Sequence, residues 1–412
     1  MHGAILMSDR LPHNVRILGW ASFLNDIASE AVYSILPSFL LSIGIGKTGL
    51  GFLEGLANST SSLLKLFVGA WSDRMGHRKA FIVVGYALTS LSRPILGLVT
   101  SAIWVFGLRL TDRVGKGLRT APRDAVITES TPDNMRGRAF GFHRSMDHLG
   151  AAIGPLLAAA FLFAFPGQLG WMILLTIIPG LLVIVLILFG LKNTSASPRS
   201  LEAGSSMKSK RSPLFGSLPQ GQFRYYLLAL TVFTFANSTD AFLLVRAEEL
   251  GVGLVWLPVL WSMLAILNSF GSRLGGWASD RWSLRGMIVC GWLLYAVVYL
   301  GFGFATSAGH VWILFAVYAG FFALTEAPEK KMVARFAKTG EAGAAFGWFH
   351  TTLGLANLPS SLLFGWLYQN FGAAVAFGSC ATAALVASII LVSLRAPTNG
   401  VATTDQSDSA AH

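Results

Sequence analysis

The sequence predicts an all-α membrane protein with twelve transmembrane helices in two pseudo-symmetric six-helix bundles, both termini cytoplasmic. Three observations predict it: the composition, a series of long apolar runs, and an internal repeat. The chain has 412 residues, 53% hydrophobic and 12% charged, with a mean hydropathy of +0.59. Soluble domains carry about 25% charged residues, so too few are present here to cover a water-facing surface. Phe (29) and Trp (12) are abundant, as lipid contact and interfacial belts require.

A span needs about 20 mostly apolar residues. Such runs fall at 15–43, 47–73, 79–99, 102–126, 136–165 and 169–191, and again at 222–247, 251–279, 284–305, 310–336, 341–369 and 371–395. Basic residues collect in alternate connections: Arg10 and Arg16, then Arg74, Arg78 and Lys79, then Arg136 and Arg138, Arg281 and Arg285, Arg335 and Lys338, and Arg395. The opposite connections hold Lys47 and Arg246 as exceptions. The bias puts both ends in the cytoplasm and requires an even number of spans. The net charge of +11 sits in these short segments, so it sets orientation and no nucleic-acid partner is expected. Residues 1–10 lack a signal-peptide pattern, so the first span is expected to insert uncleaved.

The domains follow: residues 1–191 form an N-terminal bundle, 192–221 a Ser-rich basic cytoplasmic linker, 222–396 a C-terminal bundle and 397–412 a disordered tail. Gly69–Arg74 (GAWSDR) recurs as Gly276–Arg281 (GWASDR). Ala121-Pro122 recurs as Ala327-Pro328, and Ala139–Phe142 (AFGF) as Ala345–Trp348 (AFGW). All three repeats share an offset of about 206 residues, which predicts two like-oriented bundles with a path between them.

The segment Gly69–Lys79 (GAWSDRMGHRK) resembles the loop signature of the major facilitator superfamily, and the resemblance extends over nearly the whole chain. In that family the Asp and the basic residues pair with neighbouring helix ends and hold the outward-open state. The resemblance carries this gating role to Gly69, Asp73, Arg74, Gly76 and Arg78. The C-terminal copy keeps Asp280, Arg281 and Arg285 but lacks the second Gly. Gly150–Pro155 (GAAIGP) resembles the family's antiporter signature. Gly150 and Gly154 share one face for close packing, and Pro155 favours a bend. The small residues usual after it are replaced by Leu156 and Leu157.

Charge inside the spans is the strongest functional signal. Arg109, Asp112, Arg113 and Lys116 fall at i, i+3, i+4 and i+7, continued by Thr120 and Arg123. A charge at the bilayer centre costs at least about 2.5–3.5 kcal/mol, so this stripe must face water or opposite charge. The family carries an Arg near Arg109; Asp112 and Arg113 depart from its usual pattern. The first helix adds Asn25, Asp26, Ser29, Glu30 and Tyr33 on one face, and the fifth adds His143, Arg144, Asp147 and His148. At about 1.5 Å per residue, Asp26, Glu30, Asp112, Arg113 and Asp147 lie roughly 15–20 Å deep, so with Arg109 they can form one network. Two readings stay open: the ion pairs lock the bundle, or a carboxylate exchanges a proton as the site empties and fills. The second makes Asp26 or Glu30 the proton carrier, with Asp112 and Asp147 as further candidates and Arg109 or Arg113 as modulators.

In the C-terminal half, Asn237, Asp240, Asn268, Arg273, Glu326, His350 and Asn357 are candidates to contact substrate, with Trp256, Trp261, Tyr318 and Trp348 as possible stacking surfaces. Arg93 and Lys65 add positive charge with no evident partner, and a cavity this rich in Arg suits an anionic or zwitterionic solute. Cys290 and Cys380 fall in apolar runs, so neither a disulfide nor a metal site is expected. No phosphate-binding loop, nucleophile elbow or metal cluster occurs in the sequence, so neither an enzyme nor a cofactor is expected.

The resemblance implies a monomeric secondary transporter of the bacterial inner membrane, a proton-coupled exporter of a small organic compound. The alternatives are a symporter importing an anionic solute, and a sensor that keeps the fold without transport.

Overall fold

The computed structural model describes residues 11–75, 77–132, 135–192, 219–336 and 342–393. Among the described residues every regular element is helical. In hydrocarbon a helix satisfies its own backbone polar groups, so long apolar runs adopt this form. The elements are α1 (His13–Ser42), α2 (Lys47–Met75), α3 (Arg78–Leu96), α4 (Ala102–Glu129), α5 (Arg136–Ala164), α6 (Leu169–Leu175) and α7 (Ile177–Val185), which runs on into a π turn, Leu186–Gly190. Then follow α8 (Gly221–Ala236), α9 (Ala241–Glu249), α10 (Trp256–Ser279), α11 (Leu284–Phe304), α12 (Ala308–Phe336) and α13 (Ala342–Ser393). Among the described residues six helical stretches are long and apolar enough to cross a membrane: Arg138–Ala164, Leu169–Gly190, Gly221–Glu249, Leu284–Phe304, Ala308–Phe336 and Ala345–Ser393.

Two boundaries differ from the sequence reading. The run expected at 222–247 breaks between Ala236 and Ala241. The Thr239 hydroxyl accepts there from the Ala241 backbone N–H (3.4 Å), and Tyr295 Oη donates to the freed Ala236 carbonyl (2.8 Å). The run expected from 251 becomes helical only at Trp256, after a turn in which Gly251 has φ +88°. The runs expected at 341–369 and 371–395 are two helices, taken together as α13, that meet at a kink at Gly372, whose φ of +82° suits a residue without Cβ. Arg10, Lys338, Arg395, most of the 192–221 linker and the 397–412 tail lie outside the described residues.

Within the first set of helices α1 packs on α5, and α4 on both α2 and α3; within the second α8 and α11 pack on α13, and α10 on α12. The sets meet along α2 with α13 and α5 with α10. The signature pair Gly150 and Gly154 lies at the α1–α5 contact. A Cβ there would sit 2.5 Å from the Phe23 carbonyl oxygen and 2.4 Å from that of Ile27, so only glycine allows this approach. Pro122 and Pro328, the repeated prolines, lie inside α4 and α12.

Candidate functional site

The charged stripe of α4 is buried against α1, α2 and α3. Arg109, Asp112, Arg113 and Arg119 are 6% exposed or less. Arg109 forms a two-bond fork with Glu54 of α2, Nε to Oε1 at 2.8 Å and Nη2 to Oε2 at 3.0 Å. Such forks are among the stronger hydrogen-bonded pairs. Asp112 meets Arg93 Nε of α3 at 2.8 Å, Arg109 at 3.5 Å and Arg113 at 3.7 Å. Arg93 therefore has a partner, and it is a closer one than the sequence neighbour Arg113. Asn25 ties the cluster to α1: its Oδ1 accepts from Arg93 (2.9 Å) and Arg119 (3.0 Å), and its Nδ2 donates to Asp26 (2.8 Å). Arg119 also donates to Thr89 (2.9 Å) and lies over the Tyr86 ring at 4.4 Å.

The single network expected is realised in part. Asp26 joins it through Asn25. Glu30 stands apart, accepting from Trp261 Nε1 of α10 at 3.0 Å. Asp147 also stands apart, accepting from Ser22 Oγ, with His143 Nδ1 at 3.5 Å. Tyr33 reaches Thr239 (3.2 Å) and packs on Trp261 with ring centroids 4.9 Å apart. Glu54 and Arg119 escaped the sequence reading, although a carboxylate inside the 47–73 run, away from its ends, is itself a signal.

The C-terminal candidates are scattered. Asp240 precedes α9 and accepts from Tyr318 Oη (2.7 Å). Asn237 ends α8. His350 packs edge-on to Phe349, and Asn357 is half-buried in α13. Cys380 is buried and Cys290 exposed, both as free thiols.

The two helix sets are joined differently at their two ends. At one end Ser38 donates to Glu248 (2.6 Å), and Lys47 pairs with Glu249 at 2.5 Å. Tyr368 donates to the same Glu249 (2.6 Å), and Lys47 lies 3.8 Å over the Tyr368 ring. Arg246 donates to the Phe302 and Ala305 carbonyls at the end of α11 (3.1 and 2.8 Å). The two basic exceptions to the charge bias thus have structural partners. At the other end a crevice of about 590 Å³ opens between α5, α10 and α12, lined by Arg144, His148, Arg273, Glu326 and Lys330 among others. Arg144 bridges it to Glu326 at 2.8 Å.

Of the gating-loop residues, Gly76 and the side chains at 69, 73 and 74 lie outside the described residues. Arg78 pairs with Glu129 at the end of α4. Asp280 pairs with Lys331, whose ammonium holds the carboxyl below its usual range. Arg281 lies 4.2 Å over the Trp277 ring.

Comparison with known proteins gives this arrangement a family. The profile of the Major Facilitator Superfamily matches residues 18–286 and 272–409. The chain belongs to the major facilitator superfamily. An uncharacterised MFS-type transporter of Methanocaldococcus jannaschii is 31% identical over 365 residues, covering 87% of this chain and 89% of the relative. The multi-drug resistance efflux pump PmrA of Streptococcus pneumoniae is 28% identical over 148 residues, 35% of this chain and 37% of the pump. The crystal structure of the nucleoside transporter NupG superposes with a TM-score of 0.74 at 12% identity, covering 92% of this chain and 98% of that one; this likeness is one of fold. Membership in the superfamily makes the chain a multi-pass integral membrane transporter, with a small molecule as its cargo.

Proposed function

We propose that this member of the superfamily is a proton-coupled exporter of a small organic compound, crossing the membrane twelve times with both termini cytoplasmic. The observation that carries the coupling is the contrast among the buried carboxylates. Glu54 and Asp112 each lie within 2.8 Å of a guanidinium. Among the described residues Asp26 and Glu30 have no cation at ion-pair distance, and their hydrogen bonds come from neutral Asn25 and Trp261. A carboxylate without a fixed cation can exchange a proton as its surroundings change. Glu30 is bonded across the two helix sets, so its environment changes whenever they rock. The charge bias puts the open crevice on the cytoplasmic side, which makes this conformation inward-facing. Export is favoured by the antiporter-like Gly150–Pro155 segment and by the local similarity to a multi-drug efflux pump.

The test is accumulation of a broad compound panel in efflux-deficient bacteria expressing wild type, Asp26→Asn, Glu30→Gln or no transporter, with and without a protonophore. Lower accumulation with wild type, abolished by the protonophore and by one carboxylate substitution, is the expected result. Higher accumulation would reverse the direction and make the protein an importing symporter. No change for any compound would count against transport.

A further inference from the structure

Six of the basic side chains of α2, α3 and α4 divide into two groups. Arg109, Arg93 and Arg119 are engaged by Glu54, by Asp112 with Asn25, and by Asn25 with Thr89. Arg113, Lys116 and Lys65 are not engaged in this way. Arg113 is 6% exposed, and its Nε finds no hydrogen-bond acceptor. Its nearest carboxylate, Asp112 at 3.7 Å, is already held more closely by two other guanidiniums. Lys116 follows Arg113 by three residues on α4. Lys65 lies on α2 where that helix meets α4: its neighbour Leu64 sits against Gly117, 2.7 Å from where a Cβ would stand. Neither ammonium has a hydrogen bond or an ion pair among the described residues. The two lie within electrostatic reach of one another and of Arg113.

The facing carboxylates offset this charge only in part. From α1, Asp26 and Glu30 come within electrostatic reach of Lys116, and Glu30 also of Arg113; from α2, Glu54 reaches Arg113 but is forked to Arg109. On α4, Asp124 comes within reach of Lys65 but is paired with Arg123 at 2.9 Å. From α13, His350 comes within electrostatic reach of Lys65 and brings no negative charge. Three like charges collected inside a membrane protein are costly, and a bound oxyanion offsets that cost. A guanidinium presents a planar fork to such a group, and each ammonium adds a compact charge.

We propose that Arg113, Lys116 and Lys65 form a binding site for an oxyanion of the solute, a carboxylate or a phosphate monoester. This rests on the transporter reading for its purpose, but its test does not depend on flux. The probe is a thiol on α13, His350→Cys in a Cys290→Ser background, in the purified full-length protein. Its reaction is timed with a sulfonate-bearing and a trimethylammonium-bearing methanethiosulfonate. The positive field also raises the thiolate fraction, but this acts on both reagents and cancels in the ratio of rates. The sulfonate reagent is expected to react at least about tenfold faster, relative to free thiol, since a tenfold ratio between reagents of opposite charge needs only about 0.7 kcal/mol of potential per unit charge. Adding Lys116→Gln lowers the ratio. Thr120→Cys serves as a second probe position where His350→Cys fails to fold. Benzoate, phenyl phosphate and neutral benzamide are then used as protectants. Protection by benzoate alone assigns a carboxylate, and protection by phenyl phosphate alone a phosphate monoester. Equal rates for the two reagents, a ratio unmoved by Lys116→Gln, or benzamide protecting as well as both anions would overturn the site. A protein that passes this test yet moves no solute would refute the transporter reading and leave the anion site standing.

Discussion

The interior of α1 to α4 is ionic, whereas that of α8 to α13 is aromatic. In the first region Glu54, Arg93, Arg109 and Asp112 are all 4% exposed or less and bond through fixed pairs. In the second, Phe233 stacks on Trp292 with centroids 4.5 Å apart, Tyr295 stacks on Tyr299 at 3.9 Å, and Tyr318 lies nearly parallel to Phe321 at 5.6 Å. Both arrangements fill space between helices, but they answer differently to change. Ion pairs in a low dielectric depend on both partners, so losing one leaves a charge with nowhere to go. Ring contacts are many and individually small, about 0.5–1.5 kcal/mol beyond their area, so losses there are graded. The ionic wall is suited to a site with a few discrete states, and the aromatic wall to a body that moves as a unit.

The largest expected effect breaks the ionic side. Glu54→Leu strands Arg109 and is expected to cost about 3–5 kcal/mol, read as the loss of unfolding free energy in mixed micelles. Adding Arg109→Met is expected to return most of it, because a neutral pair of similar volume removes the buried charge; failure of the double substitution to recover would mean that the pair is not the source of the cost. A smaller effect sharpens the aromatic side. Phe233→Leu keeps the site apolar and is expected to cost about 1 kcal/mol, and a loss as large as that for Glu54→Leu would erase the contrast. The smallest concerns the closed end. Lys47 and Glu249 are 22% and 33% exposed, so Lys47→Gln is expected to change stability by less than about 1 kcal/mol. The same substitution is expected to speed the labelling of a thiol at Ser38→Cys, a buried position at the contact, by loosening the contact between the helix sets. An unchanged labelling rate would remove Lys47 from the closure.

Much of this was legible beforehand. The helices were legible because lipid admits few ways to satisfy a backbone, and most span ends agree within a few residues. Arg109 and Asp112 could be set on one face because three residues nearly complete a helical turn. The partner of Arg109 could not be read: Glu54 is 55 residues away on another helix, and periodicity gives a face without saying what lies against it. Arg93 appeared unpaired for the same reason, and the link from Trp261 to Glu30 spans 231 residues. The interruption at Asn237–Asp240 lay inside an apolar run, where hydropathy is blind to competition for backbone hydrogen bonds.

The sequence by itself determined that the chain is helical and built for lipid, which helix faces carry charge, and to which family it belongs. These follow from the cost of bare peptide groups and bare charges in hydrocarbon, and both costs are paid residue by residue along the chain. Only the tertiary structure decided which charges cancel. Neutralisation is a property of pairs, and which helices approach closely enough to pair is set by packing, as where Gly150 and Gly154 bring α5 against α1. Among the described residues that packing leaves Lys116 and Lys65 without an ion pair, Arg113 with only the shared Asp112 at 3.7 Å, and Asp26 and Glu30 without a cation at ion-pair distance.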